Sequence, residues 1–147
     1  MTNCQKCSLF LLRIGLGWMF LYAGLTKIMD PNWSAEGYLR NAKSFSGLYT
    51  WLANSSLLPF INFINEWGLT LIGVALILGV FVRLTGYLGP LLMLLYYFPV
   101  LDFPKISTHS FIIDEHIIYL FVFLVLAAYK ADSFWSVRNL IWKNKSV

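Results

Sequence analysis

The stretch SLFLLRIGLGWMFLYAGLTKIM, residues 8 to 29, decides the fold of this chain. Its only charged residues are Arg13 and Lys27. It is long enough to cross a bilayer, because a spanning helix needs about 20 mainly apolar residues. Pro31 ends it, since proline disfavours helical geometry in the residue before it. Arg13 also interrupts the apolar run that a cleavable signal peptide would need. We therefore expect a first membrane-spanning helix over residues 8 to 29 that stays in the mature protein.

The rest of the chain holds enough apolar sequence for three more crossings. Between Trp67 and Leu101 the only charge is Arg83. One helix of that length would measure roughly 52 Å, far more than the ~30 Å hydrocarbon core, so we expect the chain to turn back at residues 83 to 86. The final apolar run is short, so the last crossing must also recruit residues 111 to 116. The predicted spans are residues 8–29, 59–82, 86–101 and 111–130.

The composition favours a membrane protein. Of the 147 residues, 59% are hydrophobic and 12% are charged, which leaves too little polar surface for a soluble domain. The Lys and Arg residues behind the net charge of +4 are scattered at segment ends, whereas a nucleic-acid-binding surface would group them. We expect one all-α domain over residues 1–147, an integral membrane four-helix bundle with up-down topology.

Two segments are expected outside the hydrocarbon. Residues 30–58 mix Trp and Tyr with charged residues, which is typical of an amphipathic element at the membrane interface. Residues 131–147 form a basic tail with Arg138, Lys143 and Lys145. Because basic residues collect on the cytoplasmic side, we expect a multi-pass plasma-membrane protein with both termini in the cytoplasm.

A stripe of residues along the first span indicates which face packs inward. Arg13, Gly17, Phe20, Gly24 and Lys27 recur at steps of four, three, four and three, so they share one face of a helix. Small residues let membrane helices approach closely, so this face should meet the bundle. The alternative is that both cations merely extend to the two membrane interfaces.

In an up-down bundle, several ionisable residues fall at the level of Lys27. They are Glu66 and the run Asp114 to His116. Lys27 is expected to pair with Glu66 or Asp114, and His116, on the same helix as Tyr119, has the chemistry of a proton shuttle. Ionisable groups at membrane depth are costly, which favours a functional role. The structural alternative is that Asp114 and Glu115 only cap the last helix.

Arg13 and Arg83 fall at the opposite level, with no acidic residue close in sequence. We expect an anionic or electron-rich partner there. A lipid phosphate, an anionic substrate and a quinone carbonyl are the alternatives.

Cys4 and Cys7 form a C-x-x-C motif before the first span. The spacing suits disulfide exchange, so the two are a candidate redox pair. Juxtamembrane acylation and inert thiols are the alternatives, since cytoplasmic thiols are normally reduced. One pair supplies only half the ligands of a structural zinc site, and we expect no metal.

The ordered set of motifs resembles the DoxX/DoxD family over roughly residues 9 to 132. Residues 13–27 and 33–39 are similar to the opening of that family, and Trp33-Ser-Ala resembles its DoxD branch. Residues 66–73, 79–83 and 114–119 are similar to its second-helix and fourth-helix patterns.

The resemblance implies a membrane subunit of the kind found in thiosulfate:quinone oxidoreductase, which passes electrons from thiosulfate or another sulfur donor to a quinone. The chain shows no haem, flavin or iron-sulfur motif, so a second subunit or a soluble redox partner is expected. The candidate catalytic residues are Lys27, Glu66, Asp114 and His116. The candidate substrate- or quinone-binding residues are Arg13, Arg83, Trp18, Tyr22 and Tyr119.

Two alternatives to this function remain open. A non-catalytic scaffold would use the basic tail to bring soluble redox enzymes to the membrane. A small-solute or ion carrier would need a homo-oligomer to build a path.

Overall fold

The computed structural model describes residues 1–107 and 109–137, and within them the chain is mostly helical. Arg138, Lys143 and Lys145 of the predicted basic tail lie outside the described residues. The elements are α1 (Asn3–Ile28), α2 (Glu36–Arg40), α3 (Ser46–Leu52), α4 (Leu58–Leu78), α5 (Val82–Val100), β1 (Lys105–Ser107), β2 (Ser110–Phe111) and α6 (Glu115–Ala128).

The first helix begins earlier than the apolar run predicts. The Thr2 side chain accepts a hydrogen bond from the Gln5 main-chain nitrogen at 3.3 Å, and the Gln5 side chain accepts one from the Thr2 nitrogen at 2.8 Å. This reciprocal capping satisfies two main-chain donors that a helix start leaves without partners. The helix therefore starts at Asn3 instead of residue 8.

Glycines let α1 and α4 pack against each other as an antiparallel pair. A Cβ atom at Gly17 would lie 3.1 Å from the Gly73 main-chain oxygen, and one at Gly24 would lie 2.6 Å from the Thr70 nitrogen. The predicted stripe is confirmed, because the buried residues of α1 include Arg13, Gly17, Phe20 and Gly24.

A second antiparallel pair is formed by α5 and α6. Gly89 of α5 lies against the Phe123 ring, and Gly86 lies against the Ala127 side chain, so both glycines make room for α6. The ring of Phe20 in α1 meets that of Phe123 edge-on, with 5.1 Å between centroids. The contact joins the two helix pairs in one apolar core.

The turn between α4 and α5 lies before the predicted position. Gly79 has a φ of 69°, the left-handed conformation that favours glycine, and the Val80 nitrogen donates back to the Ala75 oxygen at 3.0 Å. The prediction of a turn at residues 83 to 86 is therefore wrong. Arg83 and Thr85 lie inside α5, where the Thr85 hydroxyl bonds the helix itself.

The segment before α6 also differs from the prediction. Asp114 caps α6 by accepting from the main-chain nitrogens of His116 and Ile117 at 3.0 and 3.3 Å. Phe111 pairs instead with Lys105 in an antiparallel hairpin of β1 and β2. The predicted helical start at residue 111 is wrong, and the hairpin adds a small two-stranded sheet to the mostly helical fold.

Residues 30 to 57, which we call the cap, fold over one end of the helix pairs. Ala35, Leu39, Tyr49 and Ala53 form a second apolar cluster there, away from the main core. The main-chain nitrogen of Lys43 donates to the main-chain oxygen of Pro99, at the end of α5, over 2.9 Å. The cap therefore docks on the last, otherwise unsatisfied carbonyls of a long helix.

A proline in α5 provides one of these docking points. Pro99 has no N–H, so the Leu95 oxygen four residues earlier lacks its helical donor. The Tyr49 hydroxyl of the cap donates to that oxygen at 3.0 Å. The helical hydrogen bond that Pro99 removes from α5 is thus replaced by one from the cap, which helps to fix the position of the cap.

Within the described residues, α1 and α4 are long and apolar enough to cross a membrane. Only 28% and 33% of their most apolar windows are buried. Large apolar side chains such as Trp18, Leu71 and Tyr87 are exposed on the long helices. Helices this apolar would be buried in a soluble protein, so their exposure favours contact with lipid.

Candidate functional site

The Lys27 ammonium lies where α1, α4, α5 and the cap meet. Its Nζ donates to the Asn65 side-chain oxygen at 2.7 Å. It also lies over two aromatic rings, 4.6 Å from the Trp33 centroid and 5.5 Å from the Tyr96 centroid. Aromatic faces attract a cation, so the two rings hold the ammonium in place while leaving it hydrogens to donate.

A cavity of about 300 Å³ opens beside this ammonium. Most of its lining side chains carry a hydrogen-bonding or charged group. The lining residues are Lys27, Trp33, Ser34, Ala35, Tyr38, Asn65, Tyr96 and His116.

His116 reaches the cavity with its ring already oriented. Its Nδ1 lies 2.6 Å from Oδ2 of Asp114, whose other carboxylate oxygen caps α6. The two side chains are only 19% and 8% exposed. With Nδ1 bonded to the carboxylate, Nε2 is the ring nitrogen available to a ligand.

Tyr96 lines the cavity, but its hydroxyl is buried within the protein. The hydroxyl interacts with the side chain of Asn65, the residue that also accepts from Lys27. The ring of Tyr96 also contacts that of His116, with 6.0 Å between centroids.

Tyr38 of the cap serves a different purpose. Its hydroxyl donates to the Tyr96 main-chain oxygen. Burial raises the pKa of Tyr38 to about 12, with smaller contributions from Tyr49 and Asp114. The hydroxyl therefore keeps its proton at physiological pH and holds the cap against α5.

Lys27 bonds Asn65 directly, and of its two predicted acidic partners only Glu66 is close enough to act on it electrostatically, without a direct ion pair. Asn65 takes the hydrogen bond because it lies on the α4 face that packs toward α1, while Glu66 is one position further around the helix. Glu66 is half-buried and close enough to interact electrostatically with Lys27. Asp114 is engaged by His116.

Three aromatic residues expected at the site lie elsewhere. Trp18 and Tyr22 are 63% and 61% exposed on the outer surface of α1, and neither lines the cavity. Tyr119 packs against the main apolar core. Their helix positions point away from Lys27, which aromatic character alone does not reveal.

Arg13 is fully buried at the other end of α1, and the segment after α6 encloses it. Its terminal nitrogens donate to the main-chain oxygens of Ala131 at 2.5 Å and Trp135 at 2.7 Å. Asp132 is also buried and interacts with it electrostatically. The expectation that Arg13 lacks a partner in the protein is therefore wrong.

We call residues 131 to 136 the strap. The Trp135 ring meets Phe10 of α1 edge-on at 5.4 Å, and Ser136 lies against Gly79 at the end of α4. The first part of the predicted basic tail is thus folded onto the helices and is not a free docking segment. Arg83, at the start of α5 on the same end, is exposed.

Cys4 and Cys7 lie in the first turns of α1, where both thiols are free and exposed. They are far along α1 from Lys27 and His116. The proposed redox pair is therefore separate from the cavity.

The sequence reasoning missed Asn65, and it treated Tyr96 only as part of an apolar run. Asn65 shares its helix face with Leu69 and Gly73, four and eight residues further on, and this face packs on α1. The spacing of these α4 residues was a usable signal. The position of Tyr96 depends on how the cap docks, and no local pattern reveals it.

These features define an α-helical membrane protein with a donor-rich cavity under a cap at one end of its helices. The particular family follows from comparison with known proteins. The DoxX family model matches residues 8–101, and the chain belongs to the DoxX family, which is membrane-associated. The match does not resolve the DoxD branch. No curated protein and no solved structure matches the chain.

Proposed function

We propose that this DoxX-family protein is the quinone-binding subunit of a quinone-linked oxidoreductase, of the DoxD-like kind that takes electrons from thiosulfate or another sulfur donor. The observation that carries the proposal is the cavity beside Lys27, where several donors converge at one end of helices with lipid-exposed surfaces. Family membership supports it, since the DoxX family is linked to quinone-related oxidoreductase subunits.

The donors of the cavity suit a quinone headgroup. A quinone presents two carbonyl oxygens that accept hydrogen bonds and no donors. Lys27 keeps ammonium hydrogens beyond the one given to Asn65, and His116 contacts Asp114 through Nδ1, which leaves its Nε2 for a ligand. These groups would bind and polarise the carbonyls, and His116 with Asp114 would move protons.

The reaction balances with two electrons and two protons. The quinone takes up both and becomes the quinol. Two thiosulfate ions supply the electrons when a bond forms between their outer sulfur atoms to give tetrathionate. His116 and Lys27 would donate the protons to the carbonyl oxygens, and water would then reprotonate the two side chains. A second subunit or soluble redox partner would deliver the electrons.

The proposal includes a membrane arrangement. All four long helices would cross, with both termini in the cytoplasm and the cavity toward the outer face of the plasma membrane. At 14 residues, α6 is only about 21 Å long, so the residues flanking it would complete the crossing. The scaffold alternative has less support, since the strap occupies the start of its docking tail.

Quinone binding by the purified protein in mild detergent tests the proposal. The probe is 2,3-dimethoxy-5-methyl-benzoquinone carrying a decyl tail. Lys27→Met should weaken binding about 100-fold, because it removes the ammonium and keeps the length of the side chain. Lys105→Met is the matched control, since Lys105 is exposed in the hairpin and outside the cavity.

Membranes that contain the chain and its native partners should also show thiosulfate-dependent reduction of this quinone, and His116→Ala should abolish it. Unchanged binding in Lys27→Met, or unchanged reduction in His116→Ala, would remove the cavity as the quinone site.

A further inference from the structure

A second cavity adjoins the first. It has a volume of about 90 Å³, and it shares Ala35, Tyr38, Asn65 and Tyr96 with the donor-rich cavity. A group bound beside Lys27 would therefore be adjacent to this second space, which lies between the cap, α4 and α5.

The walls of the second cavity present mainly apolar side-chain surface. Leu39, Ile61 and Leu92 contribute hydrocarbon. The two cap tyrosines that line it have their hydroxyls committed elsewhere, Tyr49 to the Leu95 oxygen and Tyr38 to the Tyr96 oxygen. They present ring surface to the cavity, so its contents must be apolar as well.

The second cavity reaches the surface between α4 and α5. Ile64 on α4 and Leu95 on α5 both line it, and they are 44% and 43% exposed. Ile64 lies six residues after the start of α4 and Leu95 five residues before the end of α5, so both are within the helices beside the cap. The opening therefore faces the lipid in the membrane arrangement proposed above.

We propose that this apolar cavity binds the start of the hydrocarbon tail of the quinone, and that the rest of the tail leaves between Ile64 and Leu95 into the lipid. The inference rests on the proposed quinone function and names the substrate class more closely, a quinone with a long hydrocarbon tail. The adjacency of the two cavities selects this occupant, because a tailed quinone needs a polar and an apolar site side by side.

The test compares two quinones on three proteins in the same detergent. The probes are 2,3-dimethoxy-5-methyl-benzoquinone with and without a decyl tail. The proteins are the wild type, Leu95→Trp and the control Leu91→Trp. Leu91 is 56% exposed on the same helix, one turn earlier, and does not line the cavity. Both substitutions add bulk at an exposed position, so the fold should tolerate them.

The wild type and Leu91→Trp should bind the tailed quinone on the order of tenfold more tightly than the tail-free one. Leu95→Trp should lose this preference and keep its affinity for the tail-free quinone. A preference that persists in Leu95→Trp overturns the inference, as does an equal loss for both quinones. If neither quinone binds the wild type, the proposed function itself fails.

A bound lipid is the competing occupant. Native mass spectrometry should show no difference in co-purifying phospholipid between the wild type and Leu95→Trp. Loss of a phospholipid from Leu95→Trp with an intact preference for the tailed quinone would assign the cavity to a lipid acyl chain and overturn the inference.

Discussion

Arg13 and Lys27 lie on the same face of α1, near opposite ends of its contact with α4, yet their surroundings differ. Arg13 is 0% exposed, and both of its terminal nitrogens donate to main-chain oxygens of the strap. Lys27 is half-buried, bonds only Asn65 among the residues that the structure describes, and borders a cavity. A buried cation enclosed by main-chain oxygens stabilises the fold, whereas one with unused donors beside a cavity is available to a ligand.

The strongest test of this difference is Arg13→Ala. We expect it to lower the free energy of unfolding by about 3–5 kcal/mol, because it leaves the buried main-chain oxygens of the strap without the charged donor that they bind. Denaturant unfolding in detergent, followed by circular dichroism, measures the change. The matched control is Arg83→Ala, an exposed arginine at the same end, which should change stability by less than about 0.5 kcal/mol. Equal losses in the two variants would contradict a structural role for Arg13.

The next largest effect is expected at the contact between α1 and α4, which positions Lys27. In Gly24→Ala the new Cβ would lie 2.6 Å from the Thr70 nitrogen and 2.9 Å from the Glu66 oxygen, so α1 and α4 must separate. We expect a loss of about 1–3 kcal/mol in unfolding free energy and weaker quinone binding. Nothing lies within 4 Å of a Cβ at Gly15, so Gly15→Ala should be neutral or stabilising by up to about 1 kcal/mol. Equal changes in unfolding free energy for the two variants would argue against close packing of α1 and α4 at Gly24.

A third variant separates structure from chemistry at the Lys27 end. Asparagine caps a helix about as well as aspartate, so Asp114→Asn should keep the stability of the protein within about 0.5 kcal/mol. It removes the carboxylate that contacts Nδ1 of His116 and orients the ring, so thiosulfate-dependent quinone reduction should fall roughly tenfold or more. Asp114→Ala, which also removes the cap, should lose about 1 kcal/mol of stability in addition. Full activity in Asp114→Asn would reduce Asp114 to a capping residue.

The smallest effect tests how the cap is fixed over the cavity. Tyr49→Phe leaves the Leu95 oxygen without a donor and should cost about 1 kcal/mol of unfolding free energy. In a Pro99→Ala background the helix regains a main-chain donor for that oxygen, so the same change should cost less. A double-mutant cycle on unfolding free energies measures the coupling, and its absence would show that Pro99 does not set the docking point.

The face of α1 that packs inward could be predicted from the sequence, because helical periodicity is a local property. The close approach of α1 and α4 follows from the glycines on that face. The turn at Gly79 was missed because Arg83, Thr85 and Gly86 looked like stronger breaks in the apolar run. Inside α5, however, Gly86 serves packing against Ala127.

The candidate site was less accessible to sequence reasoning. Lys27, Asp114 and His116 stand out as ionisable residues in or beside apolar runs. In the structure Lys27 and His116 line one cavity, and Asp114 contacts His116. Tyr96 and the cap residues reach the cavity through contacts between distant parts of the chain. The strap around Arg13 is the same kind of contact, since residues 118 positions apart meet there. Local patterns carry no information about such partners.

The separation of Arg13 from the strap also sets an order of events during synthesis. The ribosome makes Arg13 at least 118 residues before the oxygens that receive its hydrogen bonds. At about 5–20 residues per second, the arginine would wait roughly 6–24 s for them. Throughout that time the first helix carries a guanidinium without these oxygens, and only synthesis through Trp135 supplies them. A chain that stops before Ala131 would therefore lack the groups that enclose Arg13.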